Sequence, residues 1–436
     1  MKRFQKNQKG EKMKKFLYGM MIFILSFGMM ACGGKEESKD APKEVEATQT
    51  TTNEVVPEEG AVLKIWESKG TVGEYIKFAA KKYEEKYGVH VVLEENDIAT
   101  IKNKVIQDGP AGTAADVFVA PHDQIGDLVQ SGLIMENLVS ADRIRDDFLP
   151  AARIAVTNGG KVYGFPLAIE TYALYYNKDL LPEAPKTFEE LIKFGEKYTD
   201  KSQNKFGIFW ELSNFYYAHM FMAMDGGYVF GTDGTDANDI GLDNEGSIKG
   251  INKMLSLKSI SVENAGDVSY DAMTGLFAEG KVATIINGPW GLEGAEKSGV
   301  NFDVAPLPTF DGKHPASFSG IRTLLVNSYT KYPKAAQLFA EFATSDEMLV
   351  ERFKMTNQLP PVKALIDAPE IVNHKYTKAF LEQAQYAVPM PAIPEMGLIW
   401  EPAGAAITDI WNGKVTAEQG LKNMTKIIKE QMETRK

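Results

Sequence analysis

The chain of 436 residues predicts an α/β protein of two lobes set behind an N-terminal leader. Short strands alternate with amphipathic helices from about residue 61 onward, the pattern of parallel β with covering helices. About 375 residues follow that point, more than one hydrophobic core usually supports. No second polar linker interrupts them, so the lobes are expected to be joined by short crossings. Val162–Asn177 is one long extended stretch with Pro166 inside it, too long for a single sheet, and reads as such a crossing.

The leader comes first. Lys14 and Lys15 precede an apolar run from Phe16 to Ala31, and Cys32, the only cysteine, follows directly. A basic n-region, a moderate apolar stretch and a small residue before the break are the parts of an export signal. The run is short of the roughly 20 apolar residues of a membrane span. Met29-Met30-Ala31-Cys32 resembles a bacterial lipobox, with Met29 where Leu is usual. That resemblance implies cleavage before Cys32 and a lipid on its thiol, hence an extracytoplasmic, membrane-anchored protein. The competing reading is a plain secretory signal with an incidental cysteine. A lone cysteine forms no internal disulfide, and one at the end of an apolar leader has no place in a core. Met13 offers a second start.

After Ala31 the chain keeps 41 basic and 58 acidic residues, a net charge of −17. Such a surface repels phosphates, which disfavours nucleic acid as a partner. Residues 33–60 are Lys, Glu, Thr, Pro and Ala with almost no large apolar residue, too little to bury a core. With Cys32 they read as a flexible tether, 32–60, reaching roughly 30 Å as a random coil.

Ala61–Trp66 reads as the first strand. Ile76, Ala79, Ala80 and Tyr83 then give 73–86 one apolar helical face, ended by Gly88. Val89–Leu93 is the next strand, 97–107 a helix, Asp116–Val119 a third strand and Asp123–Ser131 a helix stopped by Gly132. Beyond the crossing, Thr187 with Glu190 forms a capping box that opens a helix to about Tyr198. Further helices are expected near 213–224, 245–257, 269–279, 332–344, 345–355, 374–386 and 416–433. Strands are expected near 205–209, 282–286 and 302–306.

Five motifs in this order resemble the maltose- and maltodextrin-binding family of solute-binding proteins of ABC importers. They are Gln130-Ser131-Gly132-Leu133, Tyr175-Tyr176-Asn177-Lys178-Asp179-Leu180-Leu181-Pro182, Asp225-Gly226-Gly227-Tyr228, Asn287-Gly288-Pro289-Trp290 and Leu307-Pro308-Thr309-Phe310. Each is weak alone; five in register over residues 62 to 410 are specific. The resemblance implies a type II periplasmic-binding-protein fold with lobes discontinuous in sequence. One lobe would hold 61–168 and 322–372, the other 172–318 and 374–436, with the ligand between them. It also implies a monomer with permease subunits and an ATPase as partners.

A neutral oligosaccharide offers hydroxyl edges and weakly apolar C–H faces, so its site needs carboxylates, amides and aromatic rings. At the positions the resemblance assigns to the cleft, Asp123 and Glu170 would accept from hydroxyls. Tyr216, Trp290 and Trp400 would stack on ring faces, and Trp66 matches a family tryptophan near the cleft wall. Each has a rival reading: Asp123 as a helix cap, Trp290 as the closure of a turn, Trp66 as core. Tyr216 has Phe215 and Tyr217 beside it. Glu170 lies in an apolar stretch, where an unpaired carboxylate costs several kcal/mol, so a partner or a wet cleft is expected. Departures from the family pattern are Gly70 and Thr71 for an Asp-Lys pair that Ser68-Lys69 would restore by a shift, Ala120 and Leu292 for tryptophans, and Gln124 and Gly404 for arginines. The class of ligand is therefore implied, and the particular sugar is not.

Other chemistry lacks support. The five histidines show no i, i+4 pairing and no cysteine accompanies them, so no metal is expected. No glycine-rich phosphate loop occurs, so no cofactor is expected. Asp233, Asp236 and Asp239 lack the ligand spacing of a calcium loop. Three function classes stay open: a lipid-anchored oligosaccharide receptor for import, an extracellular glycosidase using a pair among Glu170, Glu211 and Glu401, and the same fold holding ferric ion, a polyamine or another sugar. No spacing sets two of those carboxylates around one bond, which leaves the non-enzyme as the expectation.

Overall fold

The computed structural model describes residues 55–231 and 233–435. Cys32 and the leader lie outside the described residues. Two main sheets form. The first has the order Val388–Pro389, Phe318–Val326, Val117–Pro121, Val62–Glu67, His90–Glu95, with Phe165–Glu170 also on Phe318–Val326. The second has the order Phe302–Ala305, Ala173–Asn177, Val282–Asn287, Phe206–Phe209.

Sequence expectation and structure agree closely through the first strands and helices. Alternation of side chains along each strand splits the first sheet's core in two. Ile65, Val117, Val119 and Leu324 point to helices Thr71–Tyr87 and Pro333–Ala343. Trp66, Phe118, Ala120 and Leu325 point to the other face, among Ile101, Val105 and Leu128. A separate core under the second sheet runs from Tyr172 to Ile428 in sequence. The capping box forms as expected: Glu190 N–H donates to Thr187 Oγ1 at 3.0 Å, and helix Phe188–Tyr198 follows.

Three expectations need correction. The sheets are mixed, not parallel: Phe318–Val326 runs antiparallel to Val117–Pro121 and Phe165–Glu170, and Ala173–Asn177 antiparallel to Val282–Asn287. The nine-residue strand Phe318–Val326 and the helix Trp400–Trp411 have no counterpart in the sequence reading. The tether also ends earlier than residue 60, because Glu58 caps helix Pro333–Ala343, accepting from the N–H groups of Lys334 at 2.8 Å and Ala335 at 2.9 Å. A carboxylate there satisfies orphan donors and suits the helix dipole.

The stretch 162–177 does cross between the sheets. Phe165–Glu170 pairs in the first, Ala173–Asn177 in the second, and Thr171-Tyr172 spans them. Two other passages lie alongside. Gly320 is opposite Glu170 on one side, and Ser319 is opposite Pro389 on the other. Thr171 Oγ1 donates to Phe318 O at 3.0 Å, and Tyr172 Oη to Tyr216 O at 3.0 Å. Among these segments His122 is fixed as one neutral tautomer: its Nδ1 accepts from Ile321 N–H at 3.0 Å, so Nε2 donates to Met390 O at 3.0 Å.

Candidate functional site

Parallel strands in both sheets finish at the same region, and the candidate residues follow their carboxyl ends. In the first sheet Val62–Glu67 ends on a buried carboxylate, and Val117–Pro121 runs into the turn His122–Gln124 that carries Asp123. In the second, Phe206–Phe209 leads to Trp210 and Glu211, and Val282–Asn287 to the turn Pro289–Gly291 that carries Trp290. Crevices beyond the carboxyl ends of strands are where open α/β sheets bind ligands.

Four of the expected residues meet there. Trp400, at the start of helix Trp400–Trp411, donates from Nε1 to Asp123 Oδ2 at 3.0 Å, so a residue of the second core touches a carboxylate of the first sheet. Its ring lies 6.1 Å from Phe215 and 6.3 Å from Phe318. Tyr216 opens helix Phe215–Met224, whose cap Asn214 accepts from Tyr216 N–H at 3.0 Å. The Tyr216 ring stacks at 6.1 Å on Phe318. Burial, then the nearby Glu170 and, behind Tyr172, Asp123, push its hydroxyl far up, so it stays a neutral donor.

Asp123 is 4% exposed. Burial pushes its carboxyl up to about 6, against the pull of the Trp400 N–H. Glu170 is half-buried and held from behind. Gln358 Nε2 donates to its Oε1, and Arg322 Nη1 lies 3.6 Å from the same oxygen. Arg322 in turn forks onto Glu67, with Nε to Oε2 at 3.2 Å and Nη2 to Oε1. Burial raises the Glu170 carboxyl, and Arg322, then Arg352, draw it back.

Trp290 is reached along a second line. It is half-buried on its turn, and its indole folds over Gly288, where an added Cβ would sit 2.1 Å from the ring. Tyr175 Oη donates to Gly288 O at 2.5 Å. Asn287, just before, lies against the Tyr270 hydroxyl, which also feels Glu211. Trp66, expected near the cleft wall with the core as its rival reading, stands apart and takes the second place. It is 2% exposed, its Nε1 donates to Glu94 Oε2 at 2.7 Å, and Lys104 Nζ covers its ring at 4.8 Å. No face is left for a ligand, so it packs as a core residue.

Arg322, Gln358, His122 and Phe318 escaped the sequence reading. One signal was present: Arg322 is the only charge in Phe318–Val326, and a charge in an apolar run demands a partner. Gly404, where the resemblance implied arginine, has its own reason here. A Cβ at that position would sit 2.7 Å from Ser213 O, so glycine lets helix Trp400–Trp411 lie against the segment before Tyr216. Among the described residues no group of three His, Cys, Asp or Glu is placed to hold a metal ion. Asp233 and Asp236 instead accept from their own loop, through Thr235 Oγ1 at 2.8 Å and Asn238 N–H at 2.9 Å.

Comparison with known proteins places this geometry in company. A family model described as bacterial extracellular solute-binding protein matches residues 79–379. The chain is 34% identical over 431 residues to the galactooligosaccharide-binding protein of Bacillus subtilis (strain 168), covering 97% of this chain and 98% of that one. It is 33% identical over 422 residues to a maltooligosaccharide ABC transporter solute-binding lipoprotein of Streptococcus pneumoniae (strain R6), covering 94% and 95%. The crystal structure of MalX from Streptococcus pneumoniae in complex with maltopentaose superimposes with a TM-score of 0.79 at 33% identity, over 85% of this chain and 100% of that one.

Proposed function

The chain belongs to the bacterial extracellular solute-binding protein family, and we propose that it captures a maltodextrin-like oligosaccharide between two lobes for an ABC importer. One observation carries this reading: the carboxyl ends of parallel strands from two separately cored sheets meet over carboxylates, phenols and indoles. That set suits hydroxyl edges and C–H faces and suits a charged solute poorly. The lobes are 61–168 with 322–372 and 172–318 with 374–436, and the extended passages at 170–173 and 317–320 are the hinge. Asp123 and Glu170 accept from sugar hydroxyls, and Tyr216, Trp290 and Trp400 cover ring faces. Ligand bridging both lobes favours the closed form by its differential affinity.

Relatives named for maltooligosaccharides and a maltopentaose-bound neighbour support the choice of sugar. The galactooligosaccharide-binding relative favours galacto-oligosaccharides as the second reading. A lipid on Cys32 and permease partners complete the proposal, supported by the lipobox-like Met29–Cys32 and by a relative named as a lipoprotein. The named relatives are binding proteins, not enzymes, which supports capture without turnover of the sugar. Among the described residues no helix is long and apolar enough to cross a membrane.

Calorimetry against malto-, galacto- and xylo-oligosaccharides, with ferric ion and spermidine as controls, tests the proposal. Saturable heat is expected with one neutral series and none with the controls. Binding of a control ligand in place of every sugar overturns it.

A further inference from the structure

Helix Ile125–Gln130, which follows the turn that carries Asp123, holds a cluster of charges that the sugar site does not use. Its centre is Asp127. Oδ1 of that carboxylate accepts from Arg435 Nη2, and Oδ2 pairs with Lys102 Nζ. Lys102 belongs to helix Ile98–Asp108, and Arg435 is the last residue of helix Ala417–Arg435. In the lobes proposed above, Lys102 and Asp127 fall in the first and Arg435 in the second, 308 residues from Asp127 in sequence.

The backbones approach closely enough to hold this arrangement. A Cβ on Gly126, beside Asp127, would sit 2.8 Å from Ala392 O and 2.9 Å from Pro394 N, so no larger residue fits there. Arg435 Nη1 donates to Pro394 O at 3.3 Å, which fixes the guanidinium over the same passage. With 11% of its side chain exposed, the Asp127 carboxylate needs compensation, and two cations supply it. The side chain of Arg435 is 38% exposed, so water and salt reach the pair. An ion pair in such a place contributes little to the stability of a fold. Between two lobes that exchange an open and a closed form, a small free energy shifts the populations.

We infer that Lys102, Asp127 and Arg435 form an ionic latch between the lobes, outside the sugar site, that favours the closed form. Lys102 and Arg435 are positioning residues that touch no sugar. Lys102 orients the Asp127 carboxylate, and Arg435 draws helix Ile125–Gln130 toward the second lobe, where Asp123 meets Trp400 Nε1. The inference rests on the two-lobe oligosaccharide reading above. It adds a dependence of affinity on ionic strength, which contacts to a neutral sugar do not give by themselves.

The test is calorimetry of the whole protein with maltopentaose and with galactotriose, from about 0.01 M to about 1 M sodium chloride. The proteins are wild type, Arg435→Gln, Arg435→Lys, Asp127→Asn and the double variant Asp127→Asn with Arg435→Gln. Circular dichroism melting checks that each is folded. Wild-type affinity is expected to fall about fivefold across that range, the upper end for an exposed ion pair. Arg435→Gln loses about as much at low salt and then varies little with salt, while Arg435→Lys keeps most of the salt dependence. The double variant loses no more affinity than Asp127→Asn alone, because both changes break one contact. A wild-type affinity flat in salt, or a wild-type salt slope retained in Arg435→Gln, overturns the latch and leaves the oligosaccharide reading intact. A wild type that binds neither sugar at any salt concentration overturns both.

Discussion

Replacing Arg322 by Met tests whether the buried charge network behind Glu170 holds the site in place. Arg322 is 7% exposed and Glu67 1%. The guanidinium forks onto Glu67 and reaches Glu170 Oε1 at 3.6 Å. Methionine keeps most of the aliphatic stem but leaves two carboxylates without that counter-charge. Removing one partner of a buried pair costs about 3–5 kcal/mol. Arg352, which also draws on Glu170, remains to offset part of this, so a loss near the lower end, about 3 kcal/mol, is expected. Against a domain stability of roughly 5–15 kcal/mol, that is a large fraction.

Urea unfolding followed by tryptophan fluorescence measures it. Arg322→Lys should recover only part, since an ammonium cannot fork onto a carboxylate. Glu67→Gln added to Arg322→Met should cost much less than the sum of the single changes, with a coupling of about 2 kcal/mol or more. The deficit should also shrink in acid. Glu170 is already raised by burial, and losing Arg322 raises it further, so protonation relieves the uncompensated charge as pH falls. A loss under about 1 kcal/mol, or one that Glu67→Gln fails to relieve, refutes the claim that this network is held together by charge pairing.

Three further outcomes follow from the same geometry. Trp290→Ala and Trp400→Ala should each weaken sugar binding by about 1–3 kcal/mol by calorimetry, the worth of lost aromatic burial; unchanged affinity in both discredits their placement. Gly404→Ala puts a methyl 2.7 Å from Ser213 O. It should cost about 1–3 kcal/mol of stability from overpacking and weaken binding at Trp400, read by melting and calorimetry together. Asp123, raised to about 6, contributes stability that is present below its unfolded value of 3.8 and lost as pH rises through 6. His122, lowered to about 4, contributes stability present above 6.5 and lost as pH falls through 4. Each shift is worth about 3 kcal/mol and they oppose one another. Asp123→Asn should therefore make stability fall more steeply from pH 6.5 to 4 than in wild type; parallel slopes would contradict the assignment.

What was legible in the sequence is what local chemistry decides. The Thr187–Glu190 box, the apolar face through Ile76 and Tyr83, and the over-long stretch at 162–177 each carry their meaning within about 20 residues. Phe318–Val326 does not. Gly320, Arg322 and Thr323 break its apolar pattern, and in the strand that joins Val117–Pro121 to Phe165–Glu170 the charge of Arg322 is met by Glu67, some 250 residues earlier. Helix Trp400–Trp411 hides for a related reason. It grows from the turn Pro394–Leu398 with Ile399 at its cap, so no Ser, Thr, Asp or Asn announces it. Pro402 and Gly404, both near its start, are residue types that ordinarily break helices. Pro402 is tolerated because first-turn N–H groups have no partner to lose. Gly404 is required because Ser213 approaches so closely. The two elements that local rules miss are thus the two that bring Arg322 to Glu170 and Trp400 to Asp123. Aromatic and acidic residues could be nominated from pattern alone, whereas their orientation depends on contacts between segments far apart in the chain. A tryptophan such as Trp66, equal to Trp400 as a residue type, falls to the core because Glu94 and Lys104 close over it. Which indole serves a ligand is decided by those long-range partners, not by the indole.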